Sequence, residues 1–281
     1  MNYFQAINFG TKILKHNNFI SNKLDSELLL AQVLNSTREE ILVNLNKKIK
    51  KENFKYYKCL IQRRISREPI AHILKKKDFW KSKFYVDKNV LIPRPETELI
   101  VEEALKIFEF KNSKRLLDIG TGSGCVIISI LKERPKAKGK AIDICKKALK
   151  IAEYNAKIHH LKNKINFVNI DIDKFTDNKY DLIVSNPPYI KSFDLKRLDK
   201  DVNLYEPSIA LDAGIDGFRE IKKLIFKSKN LLKTNGKLIF EIGKGQDKFS
   251  KFFLKMNGFF INKISQDINS IPRVVVSTKI S

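Results

Sequence analysis

The run Arg115-Leu-Leu-Asp-Ile-Gly-Thr-Gly-Ser-Gly124, continuing into Cys125-Val-Ile-Ile-Ser-Ile-Leu131, decides how the larger part of this chain is read. A short apolar strand passes through a glycine loop straight into an apolar helix. Glycines let the backbone come close to a bound group, and the free N–H groups of the helix start face the crevice beyond the strand ends. The same alternation recurs further on. Lys138-Gly-Lys-Ala-Ile142 reads as a strand with Asp143 at its tip, residues 145–159 as a helix, residues 164–170 as a strand running into Asp171-Ile172, and residues 180–185 as another strand. Alternating strands and helices predict an α/β fold with a largely parallel sheet whose strand ends converge on one crevice. A helix at 218–233 closing at Asn235-Gly236, a strand at 237–242, a helix at 246–256 and two strands at 259–264 and 273–279 complete the expectation.

The loop narrows the ligand class. A dinucleotide-type Gly-x-Gly-x-x-Gly from Gly120 would need glycine at position 125, which is Cys125, so the dehydrogenase reading weakens. Asp118 ahead of Gly120, Thr121, Gly122, Ser123 and Gly124 instead resembles the S-adenosylmethionine (SAM) loop of class I methyltransferases. Asp143, one strand on, can accept both hydroxyls of a ribose. Asp171 stands at a strand end, where it either reaches an adenine amino group or caps a turn. Ser185-Asn-Pro-Pro-Tyr189 arrives at the same edge. Two successive prolines remove two backbone donors and allow neither a ladder nor a helix. In such a loop the Asn186 side-chain oxygen and the Pro187 carbonyl can both accept from one planar NH2 group, with the Tyr189 ring over its face.

Ahead of this region the pattern is helical. In Asn22-Lys-Leu-Asp-Ser-Glu-Leu-Leu-Leu-Ala-Gln-Val-Leu34 the residues Leu24, Leu28, Ala31 and Leu34 fall near one face. Thr37-Arg-Glu-Glu40 has the form of a capping box, and Phe54, Tyr57, Leu60, Ile61 and Ile65 make an apolar stripe ended by Pro69. Residues 79–86 and 90–92, separated by Asp87-Lys-Asn89, read as a hairpin. The expected division is a helical bundle at 1–74, a β-hairpin linker at 75–95 and a catalytic domain at 96–281. The polar segment from Ile190 to Gly217 reads as a lid or substrate wall over the crevice.

Composition excludes several classes. No apolar run reaches membrane-spanning length, and Met1-Asn-Tyr-Phe-Gln-Ala lacks the layout of a secretory signal, so a cytoplasmic location is expected. Cys59, Cys125 and Cys145 have no metal-ligand spacing and read as free thiols, and no metal site is expected. His16, His72, His159 and His160 share neither metal spacing nor a neighbouring nucleophile and read as surface or helix-end residues. The net charge of +24 favours acidic partners, and a non-catalytic RNA- or ribosome-binding module is one reading of it. The lysines, however, are spread along the whole chain rather than gathered in a tract.

Five stretches taken together are specific. Ile92-Pro-Arg-Pro-Glu-Thr-Glu98, Asp118-Ile-Gly-Thr-Gly-Ser-Gly124, Asn186-Pro-Pro-Tyr189, Glu206-Pro-Ser-Ile-Ala-Leu-Asp212 and Glu241-Ile-Gly-Lys-Gly-Gln246, in this order, closely resemble the HemK/PrmC family of peptide chain release factor glutamine N5-methyltransferases. Residues 25–34 and 63–74 resemble that family's N-terminal helical domain, which implies a role in partner recognition. Departures are His72 where tyrosine is usual, Lys75 and Lys81 where glycines are common, Ser270-Ile-Pro272 before the last strand, and Ile172 where an aromatic often packs on adenine. The resemblance implies a class I SAM-dependent methyltransferase, Rossmann-like, with a seven-stranded mostly parallel sheet. It implies SAM at residues 120–124, Asp143, Asp171, Ile172 and near Asn186, and a glutamine amide from a class I release factor at Asn186, Pro187, Pro188 and Tyr189. Asn186, Pro187 and Tyr189 would act in catalysis; no specific nucleic acid and no membrane are expected as partners. Asn-Pro-Pro-Tyr also serves enzymes that methylate the exocyclic amine of adenine in nucleic acid, and that is the alternative.

Overall fold

The computed structural model describes residues 1–108 and 114–280. By internal contacts the chain divides into two units, one of Met1–Lys75 with Asp199–Tyr205, the other of Lys76–Leu198 with Glu206–Ser281.

The first unit holds α1 (Tyr3–His16), α2 (Asn22–Leu34), α3 (Arg38–Val43), α4 (Lys51–Ile65) and α5 (Ile70–Leu74). The capping box at Thr37 is formed: its hydroxyl accepts from the Glu40 N–H at 3.2 Å while the Glu40 carboxylate accepts from the Thr37 N–H at 2.9 Å, so two orphan donors of α3 are satisfied. The α4 stripe turns inward as expected, with Tyr57, Leu60 and Ile61 buried. On α2 the expected stripe holds in part: Ala31 is buried and Leu28 and Leu34 pack against the core, but Leu24 is exposed, and the buried face also carries Asp25, Ser26 and Glu27 beside Leu29 and Leu30. Those polar groups have partners from distant sequence. Asp25 accepts from Arg64 Nε at 2.8 Å, Ser26 shares a 2.6 Å hydrogen bond with the Tyr57 hydroxyl, and Glu27 accepts from Arg38 at 2.7 Å. His72 is also buried, on α5, rather than at the surface.

The second unit begins with β1 (Lys77–Phe79) and β2 (Ser82–Phe84), an antiparallel pair. The hairpin therefore turns at Trp80-Lys81, where Trp80 takes φ 53°, and not at residues 87–89. Asp87 instead closes a local Asx turn by accepting from the Asn89 N–H at 2.8 Å, which bends the chain without a ladder. After a short 3-10 turn at Pro95–Thr97 come α6 (Glu98–Ile107), β3 (Arg115–Ile119), α7 (Cys125–Glu133), β4 (Lys138–Asp143), α8 (Lys146–Ile158), β5 (Ile165–Asn169) and β6 (Tyr180–Ser185). The intervening α9 (Lys200–Tyr205) belongs to the first unit, and α10 (Arg219–Leu231), β7 (Leu232–Glu241), α11 (Asp247–Met256), β8 (Phe259–Gln266) and β9 (Pro272–Lys279) finish the second.

The seven-stranded sheet has the order β5-β4-β3-β6-β7-β9-β8, parallel except for the pairings of β9. Its central strands β3 and β6 are buried along nearly their whole length because both faces of the sheet are covered there. Leu116, Leu182, Val184 and Ile239 enter one core with α6 and α7, while Leu117, Ile183, Leu238 and Phe240 enter the other with α10 and α11. Asn235-Gly236 does not end a helix. Tyr180 pairs with Leu232 and Leu182 with Lys237, so the excess residues of β7 bulge out between them, with Asn235 at φ 62°.

Candidate functional site

The strand order reverses at β3, with β4 on one side and β6 on the other, so the loops leaving the C-terminal ends of these strands diverge and leave a crevice. A cavity of about 390 Å³ lies there. Its wall includes residues 120–123 after β3, Asp143 at the end of β4, Asp171 and Ile172 after β5, and Asn186, Pro187 and Pro188 after β6. Gly124 and Tyr189 stand behind this wall. Gly124 takes φ 78° at the start of α7, where an added Cβ would lie 3.1 Å from the Ala152 Cβ, so it serves close packing of α7 on α8. Tyr189 turns its ring toward Gly243 and its hydroxyl to the Glu241 carboxylate.

Gly120 at φ 71° and Gly122 at φ 54° hold the loop in conformations that favour glycine, and a Cβ at either would project into open space. The loop is tied at several points. Gly122 N–H donates to Asp143 Oδ2 at 2.9 Å and Cys145 N–H to Oδ1 at 2.8 Å. Each carboxylate oxygen keeps a second lone-pair direction for a ligand hydroxyl. Burial raises the Asp143 pKa and these two N–H groups oppose the rise. Asp118, fully buried on β3, accepts from the Thr121 hydroxyl at 2.7 Å; burial, reinforced by the nearby Asp143 charge, pushes it up to about 7. Behind the loop the Asn155 amide on α8 donates to Ser123 O at 2.8 Å and to Tyr85 O at 3.0 Å, and accepts from Tyr85 N–H at 2.8 Å. Asp171 has the turn-capping bond, from Asp173 N–H at 2.8 Å, and the residue lines the cavity.

At the reacting end, Asn186 Nδ2 donates to Thr97 Oγ1 at 3.0 Å, and Thr97 Oγ1 in turn donates to Glu241 Oε2 at 2.6 Å. Glu241 is 1% exposed and its pKa is pushed up to about 7 by burial, against the hydrogen bonds from Thr97 and Tyr189 and the charge of Arg273. With its NH2 engaged, the Asn186 amide offers its oxygen. Opposite, Glu206 accepts from Ile92 N–H at 3.0 Å and from Arg94 at 2.6 Å, and this anchor delivers Pro207, Ile209 and Ala210 to the cavity wall. Gln246 Nε2 donates to Tyr189 O at 3.1 Å and Gly217 O at 2.8 Å, holding the end of the Ile190–Gly217 segment to the proline loop. Among the described residues no group of His, Cys, Asp and Glu is arranged to hold a metal ion.

A family model described as Methyltransferase small domain matches residues 97–200, and one described as PrmC N-terminal domain matches residues 5–74. A release factor glutamine methyltransferase of Caulobacter vibrioides is 35% identical over 257 residues, which is 91% of this chain and 89% of that protein. The chain belongs to the release factor glutamine methyltransferase family. A second relative of that name, from Buchnera aphidicola, is 38% identical over 260 residues, 92% of this chain and 93% of its own length. Among solved structures, a ribosomal protein L11 methylase of Lactobacillus delbrueckii gives a TM-score of 0.50 at 20% identity over 67% of this chain and 81% of that one, a likeness of fold alone. Membership in the release factor glutamine methyltransferase family makes the chain a methyltransferase of class I fold. Thr97, Glu241, Asn155 and Glu206 are the residues of the site to which sequence reasoning gave no role. Their signal was present only as membership in the quoted motifs, or, for Asn155, as a buried amide on an otherwise ordinary helix.

Proposed function

We propose that this chain methylates the side-chain amide nitrogen of the glutamine in the Gly-Gly-Gln motif of class I peptide chain release factors, in the cytoplasm, with SAM as methyl donor. The observation that carries the reading is the Asn186 amide, whose NH2 is engaged by Thr97 and whose oxygen is left for a donor on a cavity wall shared with Pro187. Gly120 and Gly122, Asp143, Asp171 and Ile172 suit the SAM nucleoside: open backbone for close approach, a carboxylate for two hydroxyls, and an apolar side chain for the purine. When bound, SAM supplies a sulfonium methyl group whose carbon–sulfur pair leaves on sulfur as the carbon–nitrogen bond forms.

An amide nitrogen is a poor nucleophile because its lone pair is delocalised into the carbonyl. Asn186 Oδ1 and the Pro187 carbonyl accept both N–H groups of the substrate amide, which raises electron density on nitrogen and fixes its direction. Orientation is the main requirement of an in-line displacement, and alignment of this kind contributes roughly 7 to 11 kcal/mol. The proton departs to solvent after nitrogen has acquired the methyl group, so no general base is required before attack. The helical unit, matched over residues 5–74 by the PrmC N-terminal domain model, would recognise the release factor.

Purified release factor and duplex DNA offered together with labelled SAM test the reading. One methyl increment on the Gly-Gly-Gln peptide, with none on DNA, is expected. Label on DNA alone would replace the reading with the adenine-amine alternative.

A further inference from the structure

Glu241 is the last residue of β7, in register with Val274 of β9, and Thr97 ends the 3-10 turn before α6; both side chains are buried. A threonine hydroxyl has one proton. In this site that proton lies on the 2.6 Å contact with Glu241, so Thr97 turns only lone pairs toward Asn186, and the 3.0 Å partner must be the Asn186 NH2. The Tyr189 hydroxyl donates to the same carboxylate, which leaves Glu241 as the common acceptor at the end of two chains from the proline loop. We propose that Glu241 and Thr97 are positioning residues, whose one-directional hydrogen bonds hold the Asn186 amide with its oxygen toward the cavity. The proposal rests on the reading that this oxygen receives the substrate N–H.

An asparagine side chain is close to symmetric in shape, and packing alone distinguishes its two ends poorly. Were it to flip, an NH2 would oppose the NH2 of the substrate amide and the site would lose its acceptor. The carboxylate form of Glu241 forbids the flip, because it can only accept. Protonated Glu241 can donate to Thr97, whose own proton is then released to face Asn186 and to stabilise the flipped amide. The groups that face Glu241 are Thr97, Tyr189, Arg273 and Glu96; Arg273 is itself paired with Asp267 at 2.8 Å, and Arg94, which faces Tyr189, is paired with Glu206. With burial placing Glu241 at about 7, the carboxylate form gains as pH rises through neutrality. Turnover is then expected to fall on the acid side over the same range. Asp118 is the other carboxyl of the site at about 7, so the limb has to be assigned by substitution.

The test compares Thr97→Val, Thr97→Ser and Glu241→Gln with the wild-type enzyme, measuring kcat and KM on release factor, SAM affinity by calorimetry, folding by circular dichroism, and kcat from about pH 6 to 8.5. Thr97→Val keeps the shape and removes the hydroxyl. It is expected to lower kcat by about 10- to 100-fold, with SAM affinity within about twofold of wild type, and Thr97→Ser to regain most of the loss. Glu241→Gln, which does not titrate, is expected to flatten the acid limb. A folded Thr97→Val enzyme with wild-type kcat, or a Glu241→Gln enzyme that keeps the limb, would overturn the positioning role while leaving the functional reading intact. Wild-type enzyme that leaves the glutamine unmodified would overturn both.

Discussion

In the proposed reaction the substrate amide meets two acceptors, Asn186 Oδ1 and the Pro187 carbonyl, and the first is the one a substitution can remove. The two residues after Asn186 are prolines, which have no N–H of their own to set against an incoming amide. The cavity wall that would take SAM is built from other strands, by residues 120–123 and Asp143. Asn186→Ala should therefore leave SAM affinity within a few-fold of wild type and lower kcat on release factor by about 100-fold or more, since it removes the acceptor that aims the nitrogen. Calorimetry with SAM and single-turnover methylation check the two halves separately. A variant that loses SAM affinity and turnover together would show that Asn186 holds the cofactor rather than the substrate.

At the scale of elements, the loops are only as well placed as the strands and helices behind them. Asn155 ties α8 to the carbonyl of Ser123 in the glycine loop and to both backbone groups of Tyr85 after the hairpin, and it is completely buried. Replacing it by alanine takes away three hydrogen bonds, one fully buried and two partly buried. Asn155→Ala is expected to cost about 1 to 3 kcal/mol of stability and to weaken SAM binding through a loosened loop, as read by urea unfolding and calorimetry. Elements differ in how far their sequence announces them. The β3 loop, the β4 tip and the proline loop were legible because each pairs a local backbone requirement with an apolar strand buried on both faces. The hairpin turn was not: Asp87-Lys-Asn89 carries a stronger turn signal than Trp80-Lys81, and only the pairing of Phe79 with Ser82 reveals which one closes the ladder. Asn235-Gly236 misled for a related reason. A glycine after a helical stripe looks like a helix end, yet here the register offset against β6 absorbs it as a bulge.

On the scale of the whole molecule, legibility fails where partners are far apart in sequence. Asn186 and Thr97 are 89 residues apart and Thr97 and Glu241 144, and they meet only because the sheet brings β6 next to β7 with α6 packed against both. The buried polar face of α2 is another instance, since Asp25 waits for Arg64 39 residues later. Arg64 is the hub of the helical unit: it reaches Asp25 at 2.8 Å and Asp201 at 2.6 Å and lies over the Phe19 ring. Arg64→Ala leaves the buried Asp25 and the partly buried Asp201 without their counter-charge and is expected to destabilise that unit by about 3 to 5 kcal/mol. Unfolding followed by Tyr57 and neighbouring tyrosine fluorescence should show the shift; a change below about 1 kcal/mol would mean the hub is solvated and structurally minor.

The short stretch Asp199–Tyr205 has a consequence for anyone wishing to take this protein apart. It is counted with the helical unit, where Asp201 meets Arg64 and the Tyr205 hydroxyl donates to Ser66 O at 2.8 Å, although the residues before and after it belong to the methyltransferase unit. A chain started at Lys76 would carry α9 away from every partner named here, directly upstream of the Glu206 anchor. The second unit is thus not an excisable cassette, and trimming experiments, fusions and circular permutants need to respect three covalent junctions between the units, after Lys75, Leu198 and Tyr205, rather than one.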